Sequence, residues 1–291
     1  MTRVESNPSI AQRRMLVDKL MTALILVTVA LALIPLALII GETIIQGLPV
    51  ISLSFLTNIP TPVGVAGGGI GPALEGTFTM VGIATLISVP VGVGAGIFFS
   101  EWPESRLSTV SSFMNDVLAE FPSIVIGIFV YIILVLTTKT FSAVAGAVAL
   151  SIIMIPIVAR TTEESLKLVP QTLREASIAL GVSRWRTVLR VVIGTGKTGL
   201  VTGILLAVAR AAGETAPLLL TALGNSFFAK GLWQPTAALP LLIYSHGISP
   251  YAQWHADAWG AALILVVIML ALNLFIKLVI GGKSAAAGAE M

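Results

Sequence analysis

The chain has no cysteine, which excludes disulfides, thiol chemistry and cysteine-ligated metal. Histidine is nearly absent as well: His246 and His255 are the only two, and no H-E-x-x-H pattern occurs. The usual metal and nucleophile sets of an enzyme are therefore missing. Charge is scarce, at 11% of 291 residues, whereas hydrophobic residues make up 56% and mean hydropathy is +0.98. A soluble domain could not hide that much apolar surface, so the chain reads as membrane-embedded. A pI near 9.4 would suggest nucleic acid in a soluble protein. Here the basic residues are scattered among short loops, which fits membrane orientation and no nucleic-acid partner.

A bilayer takes roughly 20 apolar residues per helical span, and six stretches qualify: about Leu20–Ile45, Gly76–Phe99, Ser112–Leu136, Phe141–Arg160, Thr198–Leu223 and Ala256–Ile280. The expected fold class is thus an all-α, polytopic membrane protein. Residues 1–18 read as a mobile cytoplasmic segment, 19–283 as the transmembrane domain and 284–291 as a cytoplasmic tail. The first apolar stretch is too long for a signal-peptide core of roughly 7–15 residues. Residues 46–75 and 224–255 read as outer loops, the first rich in Gly and Pro and devoid of Lys and Arg. Within the second, Ala237–Ser245 is apolar but too short to cross, and reads as a re-entrant or interfacial piece. Pro35, Pro122 and Pro156 are possible breaks in their spans. On this topology 14 of the 17 basic residues lie inside and only Lys139 and Lys230 outside, with Arg210 left in a span. That excess places both termini in the cytoplasm.

The polar island 160–197 carries seven of the basic residues. Thr172-Leu-Arg-Glu175 fits a capping box, predicting a helix from Leu173 that stops at Gly181, with Ser183 capping a second helix that carries Arg184, Trp185, Arg186 and Arg190. The first helix would present Leu173, Ala176, Ser177 and Leu180 along one side, a small-residue face suited to docking. Gly194-Thr-Gly-Lys-Thr198 ends like a phosphate-binding loop, but the glycine such a loop needs further upstream is Val191 and no strand precedes it. It reads as a membrane-entry turn, and nucleotide would have to be bound by a partner.

Glu175-Ala176-Ser177, three residues, then Gly181 resembles the EAA loop of ABC importer permeases; Gly194 stands where that pattern has proline. The fifth span holds Ala209-Arg210-Ala-Ala-Gly213-Glu214-Thr215-Ala216-Pro217. Burying either charge near a bilayer centre costs roughly 2.5–3.5 kcal/mol, which makes both functional candidates. Arg210 and Glu214, spaced i, i+4, would share a helix face and pair, and a guanidinium offers two parallel donors to a tetrahedral oxyanion. A structural ion pair is the alternative. Arg160 and Glu163, at the inner end of the fourth span, form a second charged set that reads equally as pathway or as membrane anchor.

Taken together, Arg160–Glu164 through Gly181 and Ala209–Thr221 are similar to PstA-type permeases of bacterial phosphate ABC importers. The resemblance implies a type I importer permease fold of six spans in the bacterial inner membrane, not itself an enzyme. It implies phosphate as cargo, with Arg210, Glu214, Arg160 and Glu163 on the pathway and Glu175, Ala176, Ser177 and Gly181 at the ATPase contact. The implied partners are a second, PstC-type permease, two PstB-type ATPase subunits that hold ATP and Mg, and an external PstS-type phosphate-binding protein. A permease of the same build for sulfate, molybdate or an amino acid is the competing reading; a membrane-embedded enzyme or receptor finds no supporting residues.

Overall fold

The structure, a computed structural model, describes residues 8–288 other than Ala66. Its helices are α1 (Pro8–Gly47), α2 (Leu53–Thr57), α3 (Gly71–Glu101), α4 (Arg106–Ala119), α5 (Ser123–Thr138), α6 (Ala143–Lys167), α7 (Gln171–Ala179), α8 (Arg184–Ala212), α9 (Ala216–Thr221), α10 (Leu239–Gly247) and α11 (Ala252–Gly288). Five helices among the described residues are long and apolar enough to cross a membrane, and six spans result if the bent pair α4–α5 counts as one. The expected all-helical polytopic architecture is present.

α6 is the axis of the fold. In its most apolar window 67% of residues are buried, against 0–28% in the other four long helices. Lipid tails are as apolar as leucine, so helices in a bilayer gain by close van der Waals packing, which small residues permit. On one side α3 brings Gly92 and Gly96 so close that a Cβ on either would collide with Val158 or with Ala159 and Thr162 of α6. On the other side α8 runs antiparallel, with Gly199 against Ser165 and Gly203 against Thr161. Met80, Leu150, Met154, Val158, Ala207 and Leu218 fill the core between these helices.

The N-terminal end of α6 is closed by polar contacts. The Ser142 hydroxyl accepts from the Ala145 N–H, and the N–H groups of Ser142, Ala143 and Val144 donate to the carbonyls of Thr221, Gln234 and Leu232. The donors that every helix start leaves open are thereby satisfied. α10 docks on α3 through the Leu239 N–H, which donates to the Thr77 hydroxyl at 2.8 Å. Leu239–Leu242 of this nine-residue helix are buried. α1, by contrast, has none of its apolar window buried and packs chiefly on α11.

Several boundaries differ from the sequence expectation. α1 is already helical from Pro8, so residues 8–18 belong to the first helix; residues 1–7 and 289–291 lie outside the described residues. The third span bends by 101° between α4 and α5. Pro122 breaks it, and α4 is held across α6 by the Asn115 amide, which donates to the Pro156 carbonyl at 3.3 Å. Gly194–Thr198 is helix interior, because Gly196 and Gly199 are small in order to meet Leu166 and Ser165 rather than to turn the chain. The fifth span is also divided: α8 ends at Ala212 and α9 resumes at Ala216.

The packing argument predicts that Gly96→Leu, which forces a branched side chain into backbone contact with α6, destabilises the fold by about 1–3 kcal/mol. Gly94→Leu, two residues away where a Cβ would meet no atom within 4 Å, should be nearly neutral. Thermal unfolding of the two purified variants in detergent checks this; equal midpoints would show that the α3–α6 approach contributes little.

Candidate functional site

The island folds as a bracket beneath α6. Pro170, with φ −56° and ψ 138°, is the N-cap of α7, so the helix begins at Gln171. The expected capping box is absent: no side chain caps this end, and the Leu173 N–H donates to the Pro170 carbonyl. Proline presets the extended entry two residues earlier than Thr172 could. The stop is as expected. Gly181 has φ +82°, the Val182 N–H donates to the Ser177 carbonyl and the Gly181 N–H to the Ile178 carbonyl, which together make a Schellman end. Ser183 precedes α8 without a side-chain cap. One wide π-turn, Thr187–Val192, carries α8 from the island into its span.

The faces of α7 are sorted. Thr172, Leu173, Glu175, Ala176, Ala179 and Leu180 are exposed. Ser177, expected on that docking face, is instead buried, and its hydroxyl shares a 2.9 Å hydrogen bond with Thr187. Arg174 also turns inward, at 11% side-chain exposure. The outward face is therefore Leu173, Ala176 and Leu180 flanked by Glu175.

The charged sets lie on adjacent helices but are not joined by any of the six ion pairs among the described residues. Arg160 is held by three carboxylates: Glu164 at 2.9 Å, Glu163 at 3.5 Å and Asp116 of α4 at 4.0 Å. Glu163, with 6% side-chain exposure, also takes Lys167 at 2.6 Å. Sequence reasoning does not find Asp116 as a partner, since only the bend at Pro122 brings α4 across to Arg160. Arg210 sits in the last turn of α8, where its charge complements the helix dipole. Glu214 is not on the same helix face, because Gly213 ends α8 and Glu214 follows in the break. The two side chains nonetheless meet at 3.5 Å, with Arg210 58% and Glu214 17% exposed. Gly203 faces Thr161, so Arg210, seven residues on, lies about 10 Å further along the axis from the Arg160 end.

Arg160 thus has its guanidinium taken up within the chain, whereas Arg210 makes only one long contact among the described residues. Its remaining donors are open, on an exposed stripe of α8 that includes Gly199, Thr202 and Leu206. Thr202 and Arg210 in that stripe set a hydroxyl and a guanidinium on an exposed face of a membrane span, suited to a path bounded by something outside this chain. In α10, His246 stacks on Trp254 at 4.7 Å and burial pushes its pKa down. No group of three or more His, Cys, Asp or Glu residues that could hold a metal occurs among the described residues.

Residues 88–281 match the family described as binding-protein-dependent transport system inner membrane component. The chain belongs to this family. A relative from Haemophilus influenzae, the phosphate transport system permease protein PstA, is 43% identical over 262 residues, covering 90% of this chain and 93% of the relative. The protein of the same name from Yersinia pestis is 40% identical, covering 91% and 90%. Among solved structures, an inward-facing MetNI methionine ABC transporter chain superposes with a TM-score of 0.59 at 20% identity, over 74% of this chain and 94% of that one. This likeness extends to the fold alone; the family makes the chain a multi-pass inner membrane component of a binding-protein-dependent transport system.

Proposed function

We propose that this permease imports inorganic phosphate, lines half of the translocation path with α8, and receives the work of ATP hydrolysis through α7. The observation that carries the reading is Arg210: a guanidinium at a helix break in a span, partly balanced by Glu214 and otherwise open. Such a group offers charge and paired donors to a tetrahedral anion, and Glu214 neutralises it when the anion is absent. The identity to PstA permeases over nine-tenths of the chain supports phosphate over sulfate, molybdate or an amino acid as the cargo. Arg160 and Glu163 belong to the inner end of the same path, where an anion reaching Arg160 must displace the carboxylates that hold it. The acidic surplus there works against retention and favours release.

The exposed polar stripe of α8 needs a second wall, which a PstC-type permease supplies. The external PstS-type protein delivers phosphate at the outer face. Two PstB-type ATPases bind ATP and Mg, one of them seated on the Glu175–Ala176–Gly181 side of α7; Ser177 secures the helix from behind. Both termini are cytoplasmic, a reading supported by the 14-to-2 distribution of basic residues.

In cells lacking the native chain, Arg210→Gln should abolish phosphate uptake per assembled complex, and Arg210→Lys should leave it weak. A purely structural pair predicts that Arg210→Gln with Glu214→Gln restores uptake, since neither charge is then uncompensated. Near-normal uptake in that double variant would exclude Arg210 as an anion contact. For the coupling face, Ala176→Glu should reduce the ATPase recovered with the permease at least about tenfold, as expected when a charge is forced into a packed interface centre; full recovery would remove α7 from that interface. For orientation, the chain's lack of cysteine allows single-site labelling with an impermeant thiol reagent. Gly247→Cys should react in intact cells and Glu104→Cys only after lysis, and the reverse pattern would invert the topology.

A further inference from the structure

A cleft of about 530 Å³ opens between the α3–α4 turn and α7, and beside it lies the most heavily bonded charge cluster among the described residues. Arg174 of α7 donates to Glu101 Oε1, the last residue of α3, from Nε at 3.3 Å and from Nη2 at 3.0 Å. Nη2 also donates to the Leu166 carbonyl at 2.9 Å and Nη1 to the Val169 carbonyl, both at the end of α6. Arg184, at the start of α8, donates to the Glu101 backbone carbonyl at 2.8 Å and lies over the Trp102 ring at 5.3 Å. One guanidinium thus fastens α7 to the ends of α3 and α6, and the same glutamate is tied to α8. Both partners are nearly enclosed, with 11% and 6% side-chain exposure.

Ser177 is the only buried residue of α7, so apolar packing does little to hold this helix to the spans. An enclosed ion pair in which four of the five guanidinium N–H groups are bonded is directional: it resists sliding and tilting, which a greasy contact would allow. We propose that Arg174 and Glu101 are a positioning pair that carries displacement of α7 to α3 and α6 as one body, so that ATP hydrolysis is converted into movement of the path. This rests on the reading of α7 as the ATPase-docking helix. Arg174 and Glu101 face away from the docking surface and act through the helix they hold.

The test uses the complete transporter, with its second permease, ATPases and binding protein, reconstituted in phospholipid vesicles. Phosphate imported, ATP hydrolysed and ATPase co-purified are measured for Glu101→Gln paired with Arg174→Gln, which leaves no buried charge uncompensated, and for Arg174→Lys, which keeps the charge but cannot reach three acceptors. The expected result is wild-type recovery of ATPase with phosphate imported per ATP reduced about tenfold in the pair and by less in the lysine variant. A merely structural role lowers the amount of complex and leaves the ratio per complex unchanged; an unchanged ratio in both variants overturns the proposal. Should the paired variant fail to assemble, Arg174→Lys decides alone, its ratio either falling or matching wild type. Failure of the docking reading appears separately, as ATPase retained by Ala176→Glu.

Discussion

Everything in this fold depends on how closely two backbones can approach α6. In water a central helix would be buried by expelling solvent from leucine and isoleucine; in a bilayer that force vanishes between helices, and fit remains. The glycines at 92 and 96 on one side and at 199 and 203 on the other set the distances of α3 and α8 from the axis. Once those distances are set, the break after Ala212, the end of α6 and the island beneath it take fixed positions relative to one another. The charged residues at the ends and breaks of the helices add direction to a frame whose interhelical spacings they do not set.

That division of labour explains what can be read from the chain. Hydropathy runs, a polar island and the Gly181 stop are local properties, and they locate the spans and the short helix because no distant residue has to be known. The third span shows the limit. Pro122 permits a break, but the 101° bend that lays α4 across α6 brings Asn115 and Asp116 to Pro156 and Arg160, residues more than forty positions away that the local sequence does not name. Gly194–Thr198 shows the opposite error: the stretch looks like a turn, but Gly196 within it packs against Leu166 at the end of α6, and tertiary packing overrides its weak helix preference.

The candidate site is legible to the same degree. Arg210 and Glu214 stand out because charges in an apolar run are expensive. Their pairing is foreseeable and its geometry is not, since Gly213 reads as one more small residue until α8 is seen to end on it. Arg160 and Arg210 look alike in sequence, and the structure distinguishes them: one is contacted by three carboxylates, the other by a single one. Arg174 carries no signal in the sequence because its partner Glu101 is seventy-three residues earlier and nothing local marks either residue.

Two kinds of contact thus divide the molecule by what each tolerates. The glycine-bearing faces of α3 and α8 meet α6 chiefly through van der Waals contact, with the weak hydrogen bond from the Ser88 hydroxyl to Met154 Sδ at 3.7 Å between α3 and α6, so sliding there breaks few directional bonds. The bracket below them is the reverse: Arg174, Glu101 and Arg184 hold carbonyls and a carboxylate at defined distances, and tilting the bracket away from the spans would strand buried charge. A device that turns a push at α7 into a change around Arg210 needs both properties, stiffness where force enters and low-cost sliding where the path must open. The breaks at Pro122 and Gly213 lie beyond the stiff region, where a helix that has already surrendered backbone bonds can rearrange without losing more.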